Sequence, residues 1–109
     1  MKVGIAGSRR LCVPNIGDYL PPETTMILSG GARGVDTCAR EYALAHDLPL
    51  REFIPDYRRF GRGAPLRRND ELIAAADRML VFWDGASHGT RYVIERCRAL
   101  GVPLTLVRL

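Results

Sequence analysis

The sequence predicts an α/β fold of doubly wound type. It is a Rossmann-like three-layer sandwich of about five parallel strands, in the order 3-2-1-4-5, with helices on both faces. Two observations predict it. Short apolar runs alternate along the chain with segments whose apolar residues recur at helical spacing. Glycine-rich or polar loops then follow the strand runs, where such folds turn from strand into helix. The length, 109 residues, suits one compact domain spanning 1–109 and can bury a real core without staples.

Lys2 to Ala6 reads as the first buried strand, and Pro14 to Leu20 holds a short helix. Thr25 to Leu28 is a second strand that ends at Ser29-Gly30-Gly31. Val35, Cys38, Ala39, Tyr42 and Ala43 recur at helical spacing, so Gly34 to His46 is an amphipathic helix. Leu50 to Ile54 is a third strand, followed by irregular chain from Pro55 to Ala64. Pro65 opens a helix carrying Leu66, Leu72, Ile73 and Ala76, because proline's fixed φ and missing N–H cost nothing in a first turn. Arg78 to Trp83 is a fourth strand around Met79-Leu80-Val81-Phe82. Val93, Ile94, Cys97 and Leu100 mark a last helix closed by Gly101, and Leu104 to Val107 is the last strand. Right-handed crossovers place every strand-to-helix loop at one edge of the sheet. Ligands of such folds bind at that edge, so the informative loops are 7–10, 29–34, 55–64 and 84–90.

Composition narrows the function classes. No stretch approaches the roughly 20 apolar residues of a membrane span. The run Val3-Gly4-Ile5-Ala6 is too short for a signal peptide, so a cytoplasmic location without membrane partners is expected. Cys12, Cys38 and Cys97 are odd in number and lack a Cys-x-x-Cys spacing, and His46 and His88 stand alone. Neither a disulfide framework nor a metal site is expected, and no cofactor is implied. Cys38 and Cys97 are read as buried free thiols on apolar helix faces. The net charge is +4 and Lys2 is the only lysine. Arginine suits forked contacts to phosphate; Arg40, Arg78, Arg96, Arg98 and Arg108 read as a solvated surface, whereas the arginines beside the glycine loops are candidates for such contacts.

The strongest local signal is Ser29-Gly30-Gly31-Ala32-Arg33-Gly34-Val35-Asp36. Glycines let backbone N–H groups approach an anion closely, and the helix that follows adds free N–H groups and a positive dipole end. Arg33 can add a charged fork; the alternative is a tight turn that needs glycine for geometry alone. Asp36 either serves a ligand or complements the helix dipole. Asp84-Gly85-Ala86-Ser87-His88-Gly89-Thr90 is a second loop of this kind, with Ser87 and Thr90 both candidate N-caps. Gly7-Ser8-Arg9 is weak alone, is not a Gly-x-Gly-x-x-Gly fingerprint, and gains value only from lying at the same edge. The segment 55–69 is arginine-rich, and its Tyr57 and Phe60 either stack on a base or anchor an exposed loop in the core.

At these residues a resemblance appears. Residues 29–36 resemble the Ser-Gly-x-Ala-x-Gly-[Ile/Ala/Val]-Asp motif of the Smf/DprA and YspA-like members of the SLOG superfamily. Arg68-Asn69, Ala76-Asp77 and Phe82-Trp83-Asp84-Gly85-x-Ser87-x-Gly89-Thr90 resemble the second half of the YspA-like group, so the likeness runs from about Gly7 to Val107. It implies a Rossmann-like domain that binds nucleotides or nucleotide-derived signals. It further implies a homodimer, as in relatives of the LONELY GUY type, and phosphate contacts at Gly30, Gly31, Gly34, Gly89 and Thr90. Arg68 falls where the nucleotide-hydrolysing relatives place their substrate-handling arginine. Those hydrolases carry a glutamate three residues after the threonine of their Gly-Thr pair, where this chain has Val93.

The expected function is therefore binding or sensing of a nucleotide without catalysis. The expected site residues are Gly7, Ser8, Arg9, Gly30, Gly31, Arg33, Gly34, Asn69, Gly85, Ser87, Gly89 and Thr90. The alternative is a nucleoside monophosphate N-glycosidase, for which Arg68, Asp84 and Asp36 are the catalytic candidates, since such cleavage needs a carboxylate. A third reading, single-stranded DNA binding of DprA type, needs stacking aromatics and a basic track. The charge of +4 is modest for it. Arg33 and Arg68, read as edge residues, are expected to matter for ligand and little for stability.

Overall fold

The computed structural model describes all 109 residues. Five strands, β1 (Lys2–Gly7), β2 (Met26–Ser29), β3 (Leu50–Glu52), β4 (Arg78–Trp83) and β5 (Leu104–Arg108), form one sheet in the order β3-β2-β1-β4-β5. Every pairing is parallel; Ile5 lies opposite Ser29 on one side and Leu80 on the other. The predicted fold class and strand order are those observed.

Alternation along the central strands builds two cores. Val3 and Ile5 of β1, Ile27 of β2, and Leu80 and Phe82 of β4 point to one face. There they meet Val35, Ala39 and Ala43 of helix α1 (Val35–Ala45) and Ile16 of a 3₁₀ turn, Ile16–Tyr19. Ala6, Leu28, Met79 and Val81 point to the other face, against Leu72 and Ile73 of α3 (Ala64–Ala75) and Val93, Ile94 and Cys97 of α4 (His88–Leu100). Full burial of each aliphatic side chain contributes about 1.5–3 kcal/mol, so both helix layers are held by the hydrophobic term rather than by propensity. Tyr92 of α4 also donates its hydroxyl to Asp70 of α3 at 2.9 Å, joining the two helices on that face.

Three expectations are corrected. The third strand stops at Glu52 rather than Ile54, with Ile54 64% exposed. The segment after Pro55 is not irregular. It holds a single-turn helix α2 (Tyr57–Phe60), capped by Asp56 accepting from the Arg59 N–H, and a 3₁₀ turn, Gly61–Gly63. Asp56 supplies the capping oxygen, a local signal that composition alone does not weigh. The early short helix is a 3₁₀ turn confined to Ile16–Tyr19. The last helix ends as read, at Gly101 in the left-handed conformation. No helix is long and apolar enough to cross a membrane.

Candidate functional site

The topology fixes where a crevice opens. From β1 the chain winds outward through β2 to β3, then crosses back to place β4 on the other side of β1. The loops leaving β1 and β4 therefore diverge, and a crevice forms between them at the carboxyl ends of the strands. A cleft of about 420 Å³ occupies that position, within the range of small-molecule sites. Its base is lined by Ala6 and Gly7 of β1, Leu72 of α3 and Val93 of α4, and exposed Arg9, Arg10 and Leu66 stand at its rim.

The β4–α4 side is an N-terminal helix cradle. Asp84 Oδ1 accepts the Ala86 and Ser87 N–H groups, each at 2.8 Å, and these bonds hold the Asp84 carboxyl below the usual carboxylate range. Trp83 Nε1 donates to the Ser87 carbonyl at 3.1 Å, and the Asp84 N–H donates to Ser8 Oγ at 3.1 Å. Ser87 is the N-cap: its Oγ accepts from the Thr90 N–H at 3.4 Å and lies 3.1 Å from the Thr90 hydroxyl. The His88 and Gly89 N–H groups, next in line, take no partner within the chain. A side chain added at Gly89 would meet nothing within 4 Å, and Gly89 lines the cleft.

The opposite side is built around a buried arginine. Arg68, only 8% exposed, donates Nη1 to the Gly30 carbonyl at 2.5 Å and to the Phe53 carbonyl at 3.4 Å. Its Nε donates to Asn69 Oδ1 at 2.9 Å. Burial works against the Arg68 charge and Asp36 offsets part of that cost. Asp36, 7% exposed at the start of α1, accepts the Ala32 N–H on Oδ2 at 3.1 Å. Its Oδ1 is buried without any hydrogen-bond partner. Burial pushes the Asp36 carboxyl above the ordinary carboxylate range, against the pull of the Ala32 N–H and the Arg68 charge. The Ser29 side chain beside it also favours the charged form, without outweighing the burial.

Of the residues expected at the site, Gly7, Arg9, Gly30, Asn69, Ser87, Gly89 and Thr90 line the cleft together with Arg68, Asp84 and Asp36. Ser8, Gly31, Arg33, Gly34 and Gly85 do not. Ser8 is buried as a link between the β1 and β4 loops, and Arg33 is exposed to solvent. Gly34, at φ 70°, packs beneath the Arg9 backbone, where a Cβ would sit 2.5 Å from the Arg9 carbonyl oxygen. Gly85, at φ 84°, lies under the Arg108 guanidinium.

The expectation that Arg68 stands free at the ligand edge is corrected: it is a buried tie between α3 and the β2 and β3 loops. Tyr57 and Phe60 lie outside the lining. Tyr57 is 58% exposed, and the half-buried Phe60 ring has the Arg59 and Arg67 guanidinium groups 5.0 Å from its centre. Arg10 and Leu66 were not anticipated at the cleft. Arg10's adjacency to Arg9 in the same loop was the available signal, whereas an exposed leucine at a rim leaves none.

No group of three or more His, Cys, Asp or Glu side chains comes together to hold a metal ion. Comparison of the chain with protein-family models, with curated proteins and with solved structures gives no match.

Proposed function

We propose that the cleft between the β1 and β4 loops binds the phosphate and ribose end of a nucleotide or nucleotide-derived ligand, and that the chain is a binding or sensing domain. The observation that carries this reading is the start of α4. The His88 and Gly89 N–H groups there have no partner within the chain, and Gly89, with open space above it, lines a cleft rimmed by Arg9 and Arg10. Free N–H groups and the helix dipole favour an anion at that point. A glycine inside a helix costs up to about 1 kcal/mol relative to alanine, and no contact within the chain requires one at Gly89. Close approach of a phosphate accounts for it.

Asp36 supports the sugar half of the reading. Asp36 lines the cleft, and its carboxyl can accept a ribose hydroxyl once the side chain turns toward the ligand. The resemblance of both glycine motifs to the YspA-like group of the SLOG superfamily belongs to the same proposal, as does a homodimer. Val93 in the lining, where the resembling hydrolases carry glutamate, favours binding over cleavage.

Mass spectrometry of small molecules released from the purified, denatured protein tests the reading, together with melting curves against AMP and ADP-ribose. A ligand present at about 100 times its Kd raises the melting temperature by roughly 10 °C in a domain of this size. No shift with any nucleotide, and no retained phosphorylated ligand, would overturn it.

One observation favours the hydrolytic alternative. Asp36 combines a raised proton affinity with a place in the cleft, as a general acid would. Asp84 does not serve as that acid, because the two loop N–H groups on its Oδ1 favour the charged carboxylate. Free base released from AMP, GMP, CMP or UMP, and lost in Asp36→Asn, would establish the enzyme; intact nucleotide with retained binding leaves the binding domain.

A further inference from the structure

Cys12 and Cys38 are separated by 26 residues, yet the fold brings their sulfur atoms to 3.8 Å. Cys12 is exposed on the loop after β1, and Cys38 is half-buried in the first turn of α1. Two features hold them there. The Arg9 backbone packs on Gly34 at the start of α1, and the Val13 N–H donates to Cys38 Sγ at 3.4 Å. The contact is thus fixed on both sides of Cys12. Cys97 lies in the core on the opposite face of the sheet and reaches neither.

A disulfide needs its sulfurs at about 2.05 Å, so about 1.8 Å of approach separates this contact from a bond. Rotation of the exposed Cys12 side chain on its loop can supply that approach without moving α1.

We propose that Cys12 and Cys38 form a reversible intramolecular disulfide that fits the native fold, made by exchange with a low-molecular-weight disulfide such as oxidised glutathione. The Cys12 thiolate, reached first from solvent, attacks one sulfur of the reagent, forms a mixed disulfide and releases one thiol. The Cys38 thiolate then attacks Cys12 Sγ, closes the ring and releases the second thiol. The protein loses two protons and two electrons, and one disulfide reagent becomes two thiols. The bond ties the loop bearing Arg9 and Arg10 to α1. The inference rests on the sulfur geometry alone and stands apart from the identity of the cleft's ligand.

The test is incubation of the reduced, folded chain with oxidised glutathione for hours, followed by acid quenching, thiol alkylation, intact-mass measurement and peptide mapping. The expected product lacks two hydrogens, retains one alkylatable thiol of the three, and yields a linked Cys12–Cys38 peptide. Its melting temperature is higher by roughly 10 °C, because the cross-link restricts the unfolded chain. Cys97→Ser gives the same product, and Cys12→Ser and Cys38→Ser do not. Arrest at a glutathione adduct on Cys12, a bond between chains or to Cys97, or a bond that forms only in urea or lowers the melting temperature would overturn the proposal.

Discussion

The two glycine-rich loops look alike in sequence and differ in what their glycines face. In the β2–α1 loop, a Cβ at Gly30 would lie 2.5 Å from Arg68 Nη1, one at Gly31 2.6 Å from Ile54 Cδ1, and one at Gly34 would strike the Arg9 backbone. These glycines make room for the protein itself. In the β4–α4 loop, Gly85 makes room for Arg108, but Gly89 faces open space at the head of α4. The first loop thus serves mainly packing, with Asp36 as its contribution to the cleft, whereas the second leaves open space where we propose that an anion sits. A glycine motif marks close approach; only the neighbours reveal whether protein or ligand approaches.

The largest effects should fall on the packing loop and should be effects on stability. Gly34→Val forces a branched residue to positive φ against backbone, and roughly 3 kcal/mol or more should be lost in urea melts. Arg68→Ala removes the partner of two carbonyls and leaves Asp36 without its offsetting charge, for a loss of roughly 2–4 kcal/mol. If either variant melts like the parent, the packing role assigned to this loop is broken.

Asp36→Asn sharpens the comparison, because it separates stability from binding. The folded chain holds the Asp36 proton more tightly than the unfolded chain does. In the window between the ordinary carboxylate pKa and the raised one, the native state binds more protons, so stability falls as pH rises. Below that window the carboxyl is neutral in both states and contributes no difference. The Asn variant should therefore gain stability over the parent as pH rises through the window, then hold that gain. Nucleotide affinity at neutral pH should drop about tenfold, or about 1.4 kcal/mol. A variant that binds normally would remove Asp36 from the site.

Smaller changes are expected at the rim. Arg9→Ala and Arg10→Ala should each weaken nucleotide binding a few-fold, by about 1 kcal/mol or less, and the difference should shrink as salt is added, since exposed charges are screened. Isothermal calorimetry at two salt concentrations checks this. Arg33→Ala should be the mildest, below about 0.5 kcal/mol in stability, with little change in affinity because Arg33 lies outside the lining.

What was legible in the sequence follows from range. Strands such as Arg78–Trp83 announce themselves by a local apolar run, and their alternation with helices carries the parallel sheet, while the order 3-2-1-4-5 comes with the Rossmann-like class rather than from any one residue. The loops flanking the crevice were legible because topology places them at one edge. The fate of Arg68 was not. Its partners, the Gly30 and Phe53 carbonyls, come from loops 38 and 15 residues away, and an arginine beside a ligand edge has the same local sequence as one sealed beneath it. The Cys12–Cys38 contact was hidden for the same reason, as two cysteines 26 residues apart form no motif. Helix α2 was missed because one capping aspartate decides it within a segment whose composition reads as loop.

The central claim is that the open glycine at the head of α4 is an anion cradle, and Gly89→Val tests it most directly. Melting curves of parent and variant are compared without ligand and with AMP. The side chain enters empty space at an ordinary helical position, so the ligand-free variant should melt within a few degrees of the parent. The AMP-induced rise seen in the parent should vanish in the variant. An equal rise in both proteins would contradict the claim, because a phosphate seated on α4 cannot share that space with a valine.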